Sequence, residues 1–199
     1  MSKLRLIFLC TVLLPNAIHA ADTAKATFAG GCFWCMEKPF DDLDGVISTQ
    51  LGYTGGTTVD PDYEAVTEDE TGHVEAVQII YHPEKISYQA LLSVFWKNID
   101  PIDSDGQFCD GGEQYLSGIY YHNAMQKKLA ANSLKKIDKT YKFNGEIVTK
   151  ITPASHFYPA EGYHQNYYQK NPFFYKFYRY TCGRDSRLEE LWGDNDQSK

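Results

Sequence analysis

The sequence predicts an α+β fold, one mixed sheet with helices packed on it. Three observations carry the prediction. Segments of strand character alternate with amphipathic helical ones in a β-α-β-β-α-β-α-β order, which suits helices laid on a mixed sheet and not a doubly wound parallel one. No internal repeat, low-complexity stretch or linker interrupts the chain. An apolar share of 43% in 199 residues supplies one sizeable core. The βαββαβ run within that order predicts a ferredoxin-like α/β plait at the centre of the sheet.

Residues 1–20 read as a segment apart. Lys3 and Arg5 precede the apolar run Leu6 to Leu14, and Pro15 leads to a small-residue end at Ala20-Ala21, the pattern of a secretory signal peptide. The run is roughly half the ~20 residues that span a bilayer, so an uncleaved membrane helix is the poorer fit. Residues 21–199 are then a single domain, expected to be a monomer, exported to a periplasm or secreted, and free of the membrane after cleavage.

Along that domain, Ala24 to Ala29 is a short strand entering Gly30-Gly31, and Phe33 to Leu43 a helix stopped by Asp44-Gly45. Val46 to Tyr53 is a second strand, followed by a loop rich in Gly, Thr, Pro and Asp from Thr54 to Pro61. Val74 to Tyr81 is the strongest strand, closed by Pro83. Ser87 caps a helix with Leu91, Leu92, Phe95 and Ile99 along one face, which stops before Pro101. A loop from Pro101 to Gly112 leads to a strand at Ile119 to Tyr121. Met125, Leu129, Leu134, Ile137 and Tyr141 mark the apolar face of a third helix, and Glu146 to Ile151 is a strand after the Asn144-Gly145 turn. Eight tyrosines and phenylalanines between Tyr167 and Tyr180 predict an aromatic-rich C-terminal tail that wraps around the domain.

Charge narrows the function classes. Without Lys3 and Arg5 the formal charge falls from -7 to -9, and Lys127-Lys128 and Lys135-Lys136 fit the wet face of a helix, so nucleic acid is excluded as a partner.

The most informative stretch is Gly31-Cys32-Phe33-Trp34-Cys35, two thiols three apart where a strand gives way to a helix. A thiol in a first helical turn meets unpaired N–H groups and the positive end of the helix dipole, which lower its pKa, and positions i and i+3 share a helix face. The pattern therefore predicts a reactive Cys32 with Cys35 within reach. A structural Cys32–Cys35 disulfide closes too short a loop to stabilise much. Zinc is the poorer alternative, because no second Cys or His pair at knuckle spacing follows and Cys109 and Cys182 are singletons. Glu75 shares a strand face with Val77, Ile79 and Tyr81, where desolvation would keep it protonated; strand pattern alone favours a solvated charge instead. Tyr63, Asp110 and Tyr115 lie in or beside the glycine-rich loops, yet among fifteen tyrosines any single one is ordinarily packing. His156 and His164 read as structural or exposed, since Gly162 disfavours a helix in which Glu161 would orient His164.

The chain resembles the peptide methionine sulfoxide reductases of the A type. The matching segments are Gly31-Cys32-Phe33-Trp34, Gly52-Tyr53-Thr54-Gly55-Gly56, Pro61-Asp62-Tyr63, Thr71-Gly72-His73-Val74-Glu75-Ala76-Val77, Phe95-Trp96, Asp100-Pro101, Gln114-Tyr115, Tyr163-His164-Gln165 and Lys170-Asn171-Pro172. The resemblance implies Cys32 as nucleophile, Phe33 and Trp34 as the pocket for the substrate methyl, and Glu75 as the acid beside the sulfoxide oxygen. It implies Tyr63 and Tyr115 as hydroxyls holding that oxygen, and Asp110 as an acidic position of the same site. It further implies reduction of methionine S-sulfoxide, free or in proteins, with a thioredoxin-like reductant and neither metal nor organic cofactor. Where many members of this family carry Gly, this chain has Cys35, and Lys176 stands where a tail cysteine is expected. Cys35 is therefore expected to resolve the Cys32 sulfenic acid, with Cys182 as a relay on a mobile tail and Cys109 a small packed residue near the site.

Two other readings differ in their consequences. A general thiol-disulfide oxidoreductase would not need Phe and Trp between its cysteines. An exported binding module would keep its function in Cys32→Ser.

Overall fold

The computed structural model describes residues 23–68 and 70–193; the proposed signal segment lies outside the described residues. The chain begins with strand β1 (Ala24–Ala29), helix α1 (Phe33–Asp41) and strand β2 (Val46–Thr54). Helix α2 (Tyr63–Thr67), strand β3 (Val74–Tyr81) and helix α3 (Tyr88–Trp96) follow. Between α3 and the next long strand, β4 (Gly106–Gln107) and β5 (Asp110–Gly111) make a small hairpin, followed by a 3₁₀ turn at Glu113–Tyr115. Strand β6 (Gly118–Tyr121), helix α4 (Ala124–Thr140), and strands β7 (Lys150–Pro153) and β8 (Phe157–Pro159) come next. Helices α5 (Tyr167–Lys170), α6 (Pro172–Thr181) and α7 (Arg184–Trp192) end the described chain. No described helix is long and apolar enough to cross a membrane.

The sheet is mixed, in the order β7-β6-β1-β3-β2-β8, with β6 and β7 parallel and the other neighbours antiparallel. Local signals start the helices where the sequence places them. Ser87 and Asn123 accept from the amides of Ala90 and Gln126, closing first-turn donors that the helix itself cannot satisfy. One core joins the sheet to α1 and α3 through Phe28, whose ring stacks on Phe40, Tyr88 and Phe95 at 5.5, 6.0 and 5.0 Å.

Three expectations change. The strand expected at Glu146–Ile151 begins only at Lys150, because it takes its register from a parallel partner: Gly118 faces Lys150 and Tyr121 faces Pro153. The loop before Gly112 contains the β4–β5 hairpin. The aromatic tail folds into helices, and its rings divide. Tyr175 is buried and Tyr167 and Tyr178 point inward, whereas Phe173, Phe177 and Tyr180 are 74%, 59% and 82% exposed along one stripe of α6.

Candidate active site

The turn from β1 into α1 requires glycine. Gly31 has φ +76, and a Cβ there would lie 2.5 Å from the Cβ of Gln107. Gln107 is itself held, accepting from the Asp100 amide at 2.8 Å and donating to the Asp100 carbonyl at 2.7 Å. This bend makes Cys32 the N-cap residue of α1, and the Cys35 amide donates to the Cys32 carbonyl at 3.0 Å. Both thiols are free and buried, at 7% and 1% exposure.

Glu75 lies 2% exposed on β3, and its Oε2 accepts from the Phe33 amide at 2.9 Å. Register places it there, since Glu75 pairs with Tyr53 on β2 while β1 flanks β3 on the other side. Burial pushes the carboxyl up to about 8, the Phe33 N–H pulling against it. Glu75 is thus a protonated acid at neutral pH, and the solvated charge suggested by strand pattern alone is replaced by a buried, neutral carboxyl.

The expected low pKa of Cys32 is not what the geometry favours. The Phe33 amide, a first-turn donor, is occupied by Glu75, and burial drives the Cys32 thiol well up, helped by Cys35 and Glu75. Cys35 is drawn down to about 7 by the hydrogen bond from Cys32, against burial, with Arg184 and Arg179 assisting. Of the two neighbouring thiols, Cys35 is therefore the one that ionises more readily.

Three hydroxyls and a second carboxyl complete the polar side. Tyr63, on the first turn of α2, is raised to about 12 by burial and then by Glu75; burial and Glu75 likewise raise Tyr115. Both remain donors across the physiological range. Tyr178 of α6 donates its hydroxyl to Asp110, 2.7 and 2.6 Å from its two oxygens, and burial together with Cys32 raises it. Burial raises Asp110, while Tyr178 and Arg184 pull it down.

The apolar side is built from Phe33, buried, and Trp34, half-buried. Tyr167 stacks on Trp34 with centroids 3.8 Å apart and planes 6° from parallel. The Trp34 Nε1 donates to His164 Nδ1 at 3.1 Å, which leaves the His164 proton on Nε2, 3.6 Å from Glu161 Oε2. Glu161 also accepts from the Tyr53 hydroxyl at 2.8 Å and the Tyr63 amide at 2.9 Å. His164 is therefore a buried residue, 1% exposed, held by the Trp34 indole, with Glu161 nearby but not hydrogen-bonded to it. His156 is exposed.

The structure thus gathers Cys32, Cys35, Phe33, Trp34, Tyr63, Glu75, Asp110 and Tyr115 around one turn. Cys109 and Cys182 differ from expectation. They form a disulfide with a Cα–Cα distance of 5.0 Å, so Cys109 is an exposed bridge partner and not a small packed residue. The bridge pins the end of α6 to the hairpin carrying Asp110, so Cys182 does not sit on a free tail. With the sulfurs joined to each other, the Cys109, Asp110 and Cys182 cluster offers no thiolate to a metal. Sequence reasoning missed Tyr167, Tyr178 and Arg184; their only signal was the density of rings and charges after Tyr163. A cavity of about 310 Å³ between Tyr120, Lys150 and Ser155 contains none of these residues.

Residues 24–196 match the family described as peptide methionine sulfoxide reductase. The chain is 51% identical over 168 residues to the peptide methionine sulfoxide reductase MsrA of Bacillus licheniformis, covering 84% of this chain and 93% of that one. It is 52% identical over 169 residues to the Bacillus pumilus protein of the same name, covering 85% and 95%. Among solved structures, reduced Mxr1 of Saccharomyces cerevisiae superposes with a TM-score of 0.72 at 32% identity, over 77% of this chain and 88% of that one. Methionine sulfoxide reductase A of Corynebacterium diphtheriae gives 0.67 at 30%, over 75% and 76%.

Proposed function

The chain belongs to the peptide methionine sulfoxide reductase family, and we propose that it reduces methionine S-sulfoxide, free or in proteins, to methionine at Cys32. The observation that carries the reading is the Glu75 carboxyl, buried and protonated, hydrogen-bonded to the residue next to Cys32. A sulfoxide oxygen leaves sulfur readily only when it is protonated, so a thiolate and a neutral acid must face the same sulfur.

In the proposed cycle the substrate methyl packs against Phe33 and Trp34, and the Tyr63 and Tyr115 hydroxyls donate to the sulfoxide oxygen. Asp110 fixes Tyr178 at the rim. Cys35 takes the proton of Cys32, Cys32 attacks the sulfoxide sulfur, and Glu75 protonates the oxygen. The hydroxyl then passes from the substrate sulfur to the Cys32 sulfur as the substrate S–O bond and the new S–S bond both break, methionine departs, and Cys32 is left as sulfenic acid. Cys35 then attacks that sulfur, the S–S bond forms, and hydroxide leaves as water.

A thioredoxin-like dithiol returns the pair to the reduced state; a structure of yeast Mxr1 in complex with Trx2 records such a partner for that protein. Cys32 and Cys35 are buried whereas Cys109 is exposed, which supports a relay through Cys182. The reduced Cys109/Cys182 pair would exchange with the Cys32–Cys35 disulfide and present its own disulfide to the reductant. We read the β6-β1-β3-β2 order as a ferredoxin-like plait, and α5 to α7 as the wrap that walls the site. We also read residues 21–199 as one exported monomeric domain that repairs oxidised proteins outside the cytoplasm under oxidative stress.

The test is methionine release from an S-sulfoxide peptide with dithiothreitol, beside the R epimer and beside Cys32→Ser. Turnover of the S epimer alone, lost in Cys32→Ser, is expected. An inactive parent chain would end the reading.

A further inference from the structure

Arg184 is a buried cation with no ion-pair partner among the described residues. It is 1% exposed, and its Nη2 donates to the Gly30 carbonyl at 3.0 Å and the Asn98 carbonyl at 2.6 Å and lies 3.1 Å from the Met36 sulfur. The Phe108 ring covers its other side at 4.3 Å. All of these partners are uncharged. Arg184 forms no ion pair among the described residues, because Arg179 is engaged with Asp185, and Arg187 with Asp100 and Glu190. Its buried Nε has no hydrogen-bond partner either. A buried cation without an anion is unstable, and the acidic groups that feel this one include Asp110, whose two oxygens already accept from Tyr178, and the Cys35 thiol.

Its contacts give the location. Gly30 and Met36 bracket Cys32 and Cys35 in the chain, and a Cβ on Gly31 would stand 3.6 Å from Nη1, so the guanidinium lies beneath the turn that carries both thiols. Gly183, at φ +70, ends α6 and starts α7 so that Arg184 turns inward, one residue after the Cys109–Cys182 bridge. We infer that Arg184 is a positioning residue for the reaction: its guanidinium is the counter-charge that holds the negative charge of the sulfur pair on Cys35. The inference rests on the reading of Cys35 as the resolving thiol.

The other groups that face Cys35 do not replace it. Cys32 hydrogen-bonds to Cys35, Glu75 and Tyr175 are neutral around pH 7, Asp110 opposes a second negative charge, and Arg179 is shared with Asp185. The role is used twice. A thiolate at Cys35 accepts the Cys32 proton in the first step. In the second, Cys35 gives that proton up to the departing hydroxyl, which leaves as water, and its sulfur supplies the electron pair for the S–S bond as the S–O bond of the sulfenic acid breaks.

The full chain carrying Cys10→Ser and Cys32→Ser, with the Cys109–Cys182 bridge intact, leaves Cys35 as its only titrating thiol, read by thiolate absorbance at 240 nm. Adding Arg184→Gln should raise the Cys35 midpoint by about one pH unit or more, and Arg184→Lys should recover at least half of that shift. In the chain with Cys32 intact, Arg184→Gln should have a kcat about tenfold below the parent near pH 7, and this ratio should approach one near pH 9, where both decline with Glu75. A midpoint unmoved by Arg184→Gln, equal shifts in the Gln and Lys variants, or a loss of kcat constant across pH would each overturn the inference. If the Gln variant does not fold, Arg184→Met, which removes the charge and keeps a long apolar stem, takes its place: a midpoint raised by about one unit or more supports the role, and an unmoved one overturns it. The titration needs no turnover, so it stands apart from the outcome of the reductase assay.

Discussion

The Phe33 amide donates to Glu75 Oε2 at 2.9 Å, joining the first residue of the cysteine helix to the central strand β3. One hydrogen bond therefore ties Glu75 to the residue beside Cys32. It also removes from Cys32 a first-turn donor that would have stabilised its thiolate.

Glu75 sets the alkaline limit of activity. Burial lifts it from 4.5 to about 8, so turnover should fall as pH rises through about 8, and Glu75→Gln should cost about a hundredfold or more in kcat at pH 7. A folded pKa above the unfolded one favours the neutral form. That contribution to stability is complete below 4.5 and is lost as pH rises toward about 8. Thermal melts should accordingly show Glu75→Gln gaining on the parent between pH 5 and 9.

Cys35→Ser should release about one methionine per chain and then stall with a thioredoxin-like reductant, since no partner thiol takes up the sulfenic acid. Peptide mapping of the parent after substrate should find Cys32 joined to Cys35. A Cys32–Cys182 bond with Cys35 free would refute that assignment.

Tyr178→Phe strips Asp110 of its hydroxyl partner, leaving a half-buried carboxyl without the contacts at 2.7 and 2.6 Å. The loss of a hydrogen bond to a charged acceptor should cost about 2 kcal/mol of stability in chemical denaturation.

Cys109 and Cys182 are separated by 73 residues, so their bridge restricts the unfolded chain strongly. The loop-entropy relation gives about 4 kcal/mol, and a Cys109→Ser, Cys182→Ser chain should melt well below the parent. If the bridge is also the relay, that chain should keep its turnover with dithiothreitol and lose it with a protein reductant.

Tyr167→Ala removes the ring stacked on Trp34 at 3.8 Å. Aromatic pairs are worth about 0.5–1.5 kcal/mol beyond burial, so KM for the sulfoxide peptide should rise about threefold to tenfold, with kcat changed less.

Much of this was legible because its signals are local. β1 and β3 begin and end where alternation and Pro83 place them, and Ser87 caps α3 through its own side chain. β7 was misplaced because a parallel partner far away in the chain sets its register. The interior halves of α6 and α7 could not be recognised, because their buried residues face groups more than 60 positions earlier, as Tyr178 faces Asp110 and Arg184 faces Gly30.

By itself, then, the sequence carried most of the elements before Tyr121, the spacing of Cys32 and Cys35 and, through resemblance, the proposal of an acid at Glu75. Propensity, capping and side-chain periodicity act over a few residues and need no partner. Only the tertiary structure shifts the two thiols in opposite directions. Those shifts come from burial, from the hydrogen bond between the thiols and from a cation on the last described helix, and burial and that cation exist only once distant segments have been packed together.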